Sequence, residues 1–135
     1  MARILIIEDN PANMQLMVYL LRAFGHDTVE AVDGESGVTT AQRELPDLIL
    51  CDLQMPGIDG YEVAQRIKLM PELKDISTVA VTAYAMVGDR DKILASGFEG
   101  YVSKPIDPEK FVQQIEVFLP PEKRTGFIRS PKEGI

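Results

Sequence analysis

The sequence predicts a single α/β domain, a parallel sheet with helices on both faces. Two observations carry this. Five short β-branched apolar runs alternate with helical patterns, as in successive βαβ units. Three of those runs have an unbroken apolar character, the mark of strands covered on both faces. A length of 135 residues suits one compact domain and is expected to be too short for this unit plus a second one.

The first strand is Ile4-Leu5-Ile6-Ile7. Asn10-Pro11 then opens a helix, an N-cap residue followed by proline at the first helical position, and Gly25 closes it. Met14, Met17, Val18 and Leu21 share its buried face at i, i+3, i+4, i+7 spacing. The second strand, Thr28 to Val32, is mixed in character and suits an edge. The second helix runs from Gly34 to Glu44, ahead of Pro46. The third strand, Leu48-Ile49-Leu50-Cys51, is unbroken; a third helix, Tyr61 to Met70, buries Val63, Ala64 and Ile67 and stops before Pro71. The fourth strand spans Thr78 to Val81. The fourth helix, Val87 to Ser96, offers little apolar face beyond Ile93 and Leu94, so it should be the least firmly held. Gly100-Tyr101-Val102 is the fifth strand, again suited to an edge. The last helix opens at Asp107-Pro108 and turns Phe111, Val112, Ile115, Phe118 and Leu119 inward. Pro120-Pro121 ends the domain, giving a folded unit 1–119 and a flexible tail 120–135 without periodicity.

Composition narrows the function. A net charge of −7 argues against nucleic acid and anionic membranes as partners, because both call for a basic footprint. One cysteine, Cys51, and one histidine, His26, exclude an intrachain disulfide and a cysteine- or histidine-rich metal site. The apolar start is too short for a signal peptide and no stretch is long enough to span a bilayer, so the expected location is cytoplasmic.

The polar residues that interrupt the apolar runs fall at strand ends. Glu8 and Asp9 follow strand one, Asp52 strand three, Thr82 strand four and Lys104 strand five. In a parallel sheet those ends share one edge, where ligands of doubly wound sheets bind. Three carboxylates there repel one another unless a cation joins them, and without His or Cys ligands a hard cation, Mg²⁺, fits best. Such a site suits phosphoryl transfer: Asp52 as carboxylate nucleophile, the metal and Lys104 neutralising the equatorial oxygens, the Thr82 hydroxyl donating to one of them.

From Ile4 to about Leu119 the chain resembles the receiver domains of bacterial response regulators. The resemblance lies in Ile7-Glu8-Asp9-Asn10, Asp47 to Asp52, Met55-Pro56-Gly57-Ile58-Asp59-Gly60, Val81-Thr82-Ala83, and Tyr101-Val102-Ser103-Lys104-Pro105-Ile106. Each motif alone is weak; five in order, at the right strand ends, are specific. The resemblance implies a flavodoxin-like sheet of strand order 2-1-3-4-5, with strands one and three flanking the crevice. It implies Asp52 as phosphoacceptor, Asp9 as direct Mg²⁺ ligand, Glu8 acting through a metal-bound water, and the Gln54 carbonyl as third protein ligand. Lys104 would pair with the phosphoryl group through a cis Lys104-Pro105 bond, and Thr82 and Tyr101 would form the switch pair. The donor would be a histidine kinase or histidine phosphotransfer protein. A downstream protein would read the helix 4, strand 5, helix 5 face. Thr82 to Asp89 looks most like receivers of hybrid kinases and single-domain cell-cycle regulators.

Two positions depart from the commonest pattern. Glu8 replaces an aspartate, and Tyr84 is bulkier than many members carry, on the side of the attacking water. With Gln54, Tyr84 leaves the phosphoryl lifetime open. An aspartyl phosphatase would want a second acid where Gln54 stands. A flavin-binding protein would want a hydroxyl- and glycine-rich loop in place of Glu8-Asp9-Asn10-Pro11. A receiver that signals without phosphate would be expected to lack an acceptor residue, and none is missing. Several residues carry a structural reading: Cys51 as packed strand, His26 as surface, Met14 and Met17 as core filler, Tyr61 as cover for helix three, Asp59-Gly60 as the turn into it.

Overall fold

A computed structural model describes residues 1–83 and 87–125, with the Val87 side chain excepted. Tyr84 and residues 126–135 lie outside the described residues, and with them the expectations for Tyr84 and for most of the tail. The elements run β1 (Arg3–Ile7), α1 (Pro11–Ala23), β2 (Asp27–Ala31), α2 (Gly34–Glu44), β3 (Leu48–Asp52), α3 (Gly60–Leu69), β4 (Ser77–Thr82), α4 (Val87–Ala95), β5 (Gly100–Ser103) and α5 (Phe111–Glu116). The strands form one parallel sheet in the order β2-β1-β3-β4-β5, as expected for this doubly wound α/β class.

Alternation of side chains along the strands divides the core in two. Ile4, Ile6, Leu48, Leu50, Val79, Val81 and Val102 face α1 and α5, where they meet Met14, Met17, Leu21, Phe111, Val112 and Ile115. Leu5, Ile7, Ile49, Cys51 and Ala80 face α2, α3 and α4, and pack with Val38, Ala41, Val63, Ala64, Ile67 and Ile93. Each fully buried Leu or Ile contributes about 1.5–3 kcal/mol. The unbroken runs of β1, β3 and β4 therefore take the central positions, and the mixed β2 and β5 form the edges.

Local sequence sets the helix starts. Asn10, Asp33 and Asp59 each accept an N-terminal backbone N–H of α1, α2 and α3 through the side chain. At α5 the first turn is not α-helical. Asp107 accepts Glu109 N–H on its carboxylate and Lys110 and Phe111 N–H on its carbonyl, and the helix begins three residues later than Pro108 suggested. Among the described side chains of α4, Ile93 is buried, whereas Leu94 is half exposed and not part of a core face. Lys92 of α4 lies over the Tyr61 ring of α3, 4.4 Å from its centroid, a contact of about 0.5–1 kcal/mol at such exposure.

His26 corrects the sequence reading. It is buried, not on the surface: Nδ1 accepts Ala2 N–H at 3.0 Å and Nε2 lies 2.7 Å from Glu116 Oε2. A carboxylate 90 residues away leaves no mark on the local pattern around Gly25. Strand two also ends one residue earlier than expected, at Ala31, and Val32 is exposed.

Candidate functional site

The carboxyl ends of the strands bring the predicted polar residues to one edge. The register sets Ile7 beside Cys51, Asp52 beside Val81 and Thr82 beside Ser103. Glu8 therefore leaves β1 next to the end of β3, and Lys104 leaves β5 next to the end of β4. Glu8, Asp9 and Asp52 each offer a carboxylate oxygen, and these lie within 4.8 Å of one another. Lys104 Nζ stands 3.0 Å from Glu8 Oε1 and 3.4 Å from Asp52 Oδ2. The Lys104-Pro105 peptide is cis, and Lys104 N–H donates to the Thr82 carbonyl at 2.8 Å, tying the end of β5 to β4.

The three acids differ in surroundings. Asp9 is exposed, Asp52 is 6% exposed and Glu8 1%. Asp52 Oδ1 accepts Gln54 N–H at 3.1 Å, which orients the carboxylate; Gln54 itself is exposed. Glu8 Oε2 accepts Asn10 N–H at 3.1 Å. Glu8 Oε1 is buried and receives the Lys104 charge without a hydrogen bond of good geometry. Burial pushes the Glu8 carboxyl up to about 7 against the opposing pull of Lys104 and the Asn10 N–H, and the neighbouring Asp52 adds to the rise. An under-satisfied buried carboxylate beside two more is a set of hard oxygen donors that fits a divalent cation.

Thr82 is buried at the end of β4, and Tyr101 is half-buried on β5 against the core of the α3 and α4 side. Cys51 has the packed role expected of it: burial and the nearby acids push its thiol well above its usual range, and it donates to the Asp52 carbonyl at 3.3 Å.

Two contributors were missed by sequence reasoning. Asn10 serves Glu8 through its backbone, which no residue type advertises. Gly60 lies so close to the end of β3 that a Cβ there would meet the Asp52 carbonyl oxygen and come within 2.8 Å of Leu53 Cα. The glycine in Asp59-Gly60 thus permits close approach as well as a turn.

Residues 4–116 match the response regulator receiver domain family. The chain is a receiver domain. It is 40% identical over 116 residues to the polar-differentiation response regulator DivK of Brucella anthropi, covering 86% of this chain and 94% of that protein. Among solved structures it is similar to the receiver domain of the sensor histidine kinase PA1611 from Pseudomonas aeruginosa, which holds a magnesium ion in its active-site cleft. That similarity is 31% identity and a TM-score of 0.80 over 87% of this chain and 96% of that one. The chemotaxis protein CheY4 of Vibrio cholerae shares the fold with a TM-score of 0.84 at 24% identity, covering 88% and 99%. Receiver domains accept phosphoryl groups on aspartate in two-component signalling, exchanging them with histidine kinases or phosphotransfer proteins, and this receiver is a signalling module of that kind. Among the described residues no helix is long and apolar enough to cross a membrane.

Proposed function

We propose that Asp52 is the phosphoacceptor, with Mg²⁺ held by Asp9, Asp52 and the Gln54 carbonyl directly and by Glu8 through a water. The convergence of Glu8, Asp9 and Asp52 within 4.8 Å, opposite Lys104, carries this reading. Asp52 is the member that ends the central strand β3, its carboxylate oriented by Gln54 N–H with Lys104 Nζ 3.4 Å away. When bound, Mg²⁺ neutralises charge on the transferring oxygens. An Asp52 carboxylate oxygen bonds to phosphorus as the P–N bond of a phosphohistidine donor breaks, and the departing imidazole takes up a proton. Lys104 and the Thr82 hydroxyl hold the phosphoryl oxygens. Water later cleaves the acyl phosphate at this same site, so the module resets itself without turning over an external substrate.

Tyr101 follows Thr82, and a downstream protein reads the face made by α4, β5 and α5. The net charge of −7 disfavours nucleic acid as that reader. The reading places the chain in the cytoplasm, where phosphohistidine donors present their phosphoryl groups. Incubation with acetyl phosphate and Mg²⁺ tests it: Asp52→Asn should lose all acyl-phosphate label while keeping its fold by circular dichroism. Label persisting at the wild-type level, or appearing on another aspartate, refutes the assignment.

A further inference from the structure

The buried pair His26 and Glu116 does more than fill the core. Ala2 N–H donates to Nδ1 of His26, so that nitrogen carries a lone pair and the ring proton sits on Nε2, aimed at Glu116 Oε2. Both side chains are fully buried. A buried carboxylate is costly unless several donors meet it, and Glu116 has further donors from beyond its own helix. Thr125 N–H reaches its two oxygens at 3.3 and 3.2 Å, and the Thr125 hydroxyl lies 3.2 Å from Oε1.

The residues leading to Thr125 are engaged as well. Pro121–Lys123 make one 3₁₀ turn. The Arg124 guanidinium donates to the Leu119 carbonyl at 3.1 Å and to the Val117 carbonyl at 3.2 Å, capping the open C-terminal end of α5 with a positive charge. Lys123 Nζ lies 3.9 Å from Asp47, whose carboxylate also accepts Arg3 N–H. The first strand, the α1–β2 turn, α5 and the following segment are thus fastened together at the end of the sheet opposite Asp52.

We propose that residues 120–125 are a brace of the folded domain, locked by Thr125 onto the His26–Glu116 pair, and that this brace holds α5 in place from behind. Glu116 points inward from α5, whereas Gln113, Gln114 and Val117 border an open cleft of about 830 Å³ that also touches Tyr101 and Lys110. In its consequence for signalling the inference rests on the α4, β5, α5 face being read by a partner; as a statement about α5 it stands alone.

Thr125→Pro tests it in the full chain. Proline removes both the N–H and the hydroxyl, and the extended Arg124 backbone (φ −78°, ψ 153°) already suits the residue before a proline. Hydrogen exchange of the Phe111 to Leu119 amides should quicken at least tenfold in the variant, while labelling of Asp52 by acetyl phosphate stays at the wild-type rate. The ¹⁵N spectrum of the wild-type His26 ring should show a proton on Nε2 and none on Nδ1. Unchanged α5 exchange, or a proton on Nδ1, overturns the brace. Faster α5 exchange with partner binding unaltered upholds the brace and counts against the output face.

Discussion

Lys104 stands nearer to Glu8 than to Asp52, 3.0 Å against 3.4 Å. The lysine expected to serve the phosphoryl group is thus shared between Glu8 and Asp52, the proposed acceptor. Glutamate makes this possible, since its extra methylene carries the carboxylate across the crevice from the end of β1.

The raised Glu8 carboxyl should make binding of the proposed Mg²⁺ depend on pH. The group ordinarily titrates near 4.5 and in the fold near 7, so the metal-free domain holds this proton through that interval. Its contribution to stability is present below about 4.5 and is lost as pH rises through 7. Mg²⁺ must expel the proton, so its apparent affinity should rise about tenfold between pH 6 and pH 8, a loss of one linked proton. Calorimetric titration checks this: Glu8→Gln should flatten the pH profile, and Asp9→Ala should weaken Mg²⁺ much more than Glu8→Gln does. A wild-type affinity independent of pH would contradict the Glu8 assignment.

Gly60 is the residue where a single methyl should do the most harm to the loop that follows Asp52. Alanine there would drive its Cβ into the Asp52 carbonyl and within 2.8 Å of Leu53 Cα, both backbone atoms that cannot rotate away. Gly60→Ala should destabilise the domain by roughly 1–3 kcal/mol and slow phosphorylation by displacing Asp52. Thermal melts and acetyl phosphate labelling read the two effects separately. A variant with wild-type melting and wild-type labelling would show that the loop gives way freely.

Tyr101 and α4 should report phosphorylation. Tyr101 is half-buried at the edge strand, and α4 is held by Ile93 and by the Lys92–Tyr61 contact, so a modest change at Thr82 can move both. Tyr101→Ala should leave Asp52 labelling intact while weakening partner binding. Amide chemical shifts with a phosphoryl mimic should change at Ile93, Tyr101 and Ile106. Changes confined to the loops around Asp9 and Asp52 would exclude this face.

Periodicity and strand-end chemistry were enough to read the sheet, its central and edge strands, and the gathering of Glu8, Asp9, Asp52, Thr82 and Lys104 at one edge. These follow from short-range rules: alternation places Ile4, Ile6 and their like on one face, and a parallel sheet aligns its carboxyl ends whatever the loops do. The strand order came from resemblance, because pairing between runs of equal apolar character is not written in either run.

Only the tertiary structure decided which polar groups meet. His26 read as a surface residue, yet it is buried against Glu116, and both side chains are fully buried. The boundary at Leu119 rested on the loss of apolar periodicity, whereas Arg124 and Thr125 engage the domain through hydrogen bonds to Leu119 and Glu116. Apolar burial repeats along the chain and so leaves a local pattern. A single donor meeting a single acceptor 90 residues away has no period, and only the folded chain brings the two within 2.7 Å.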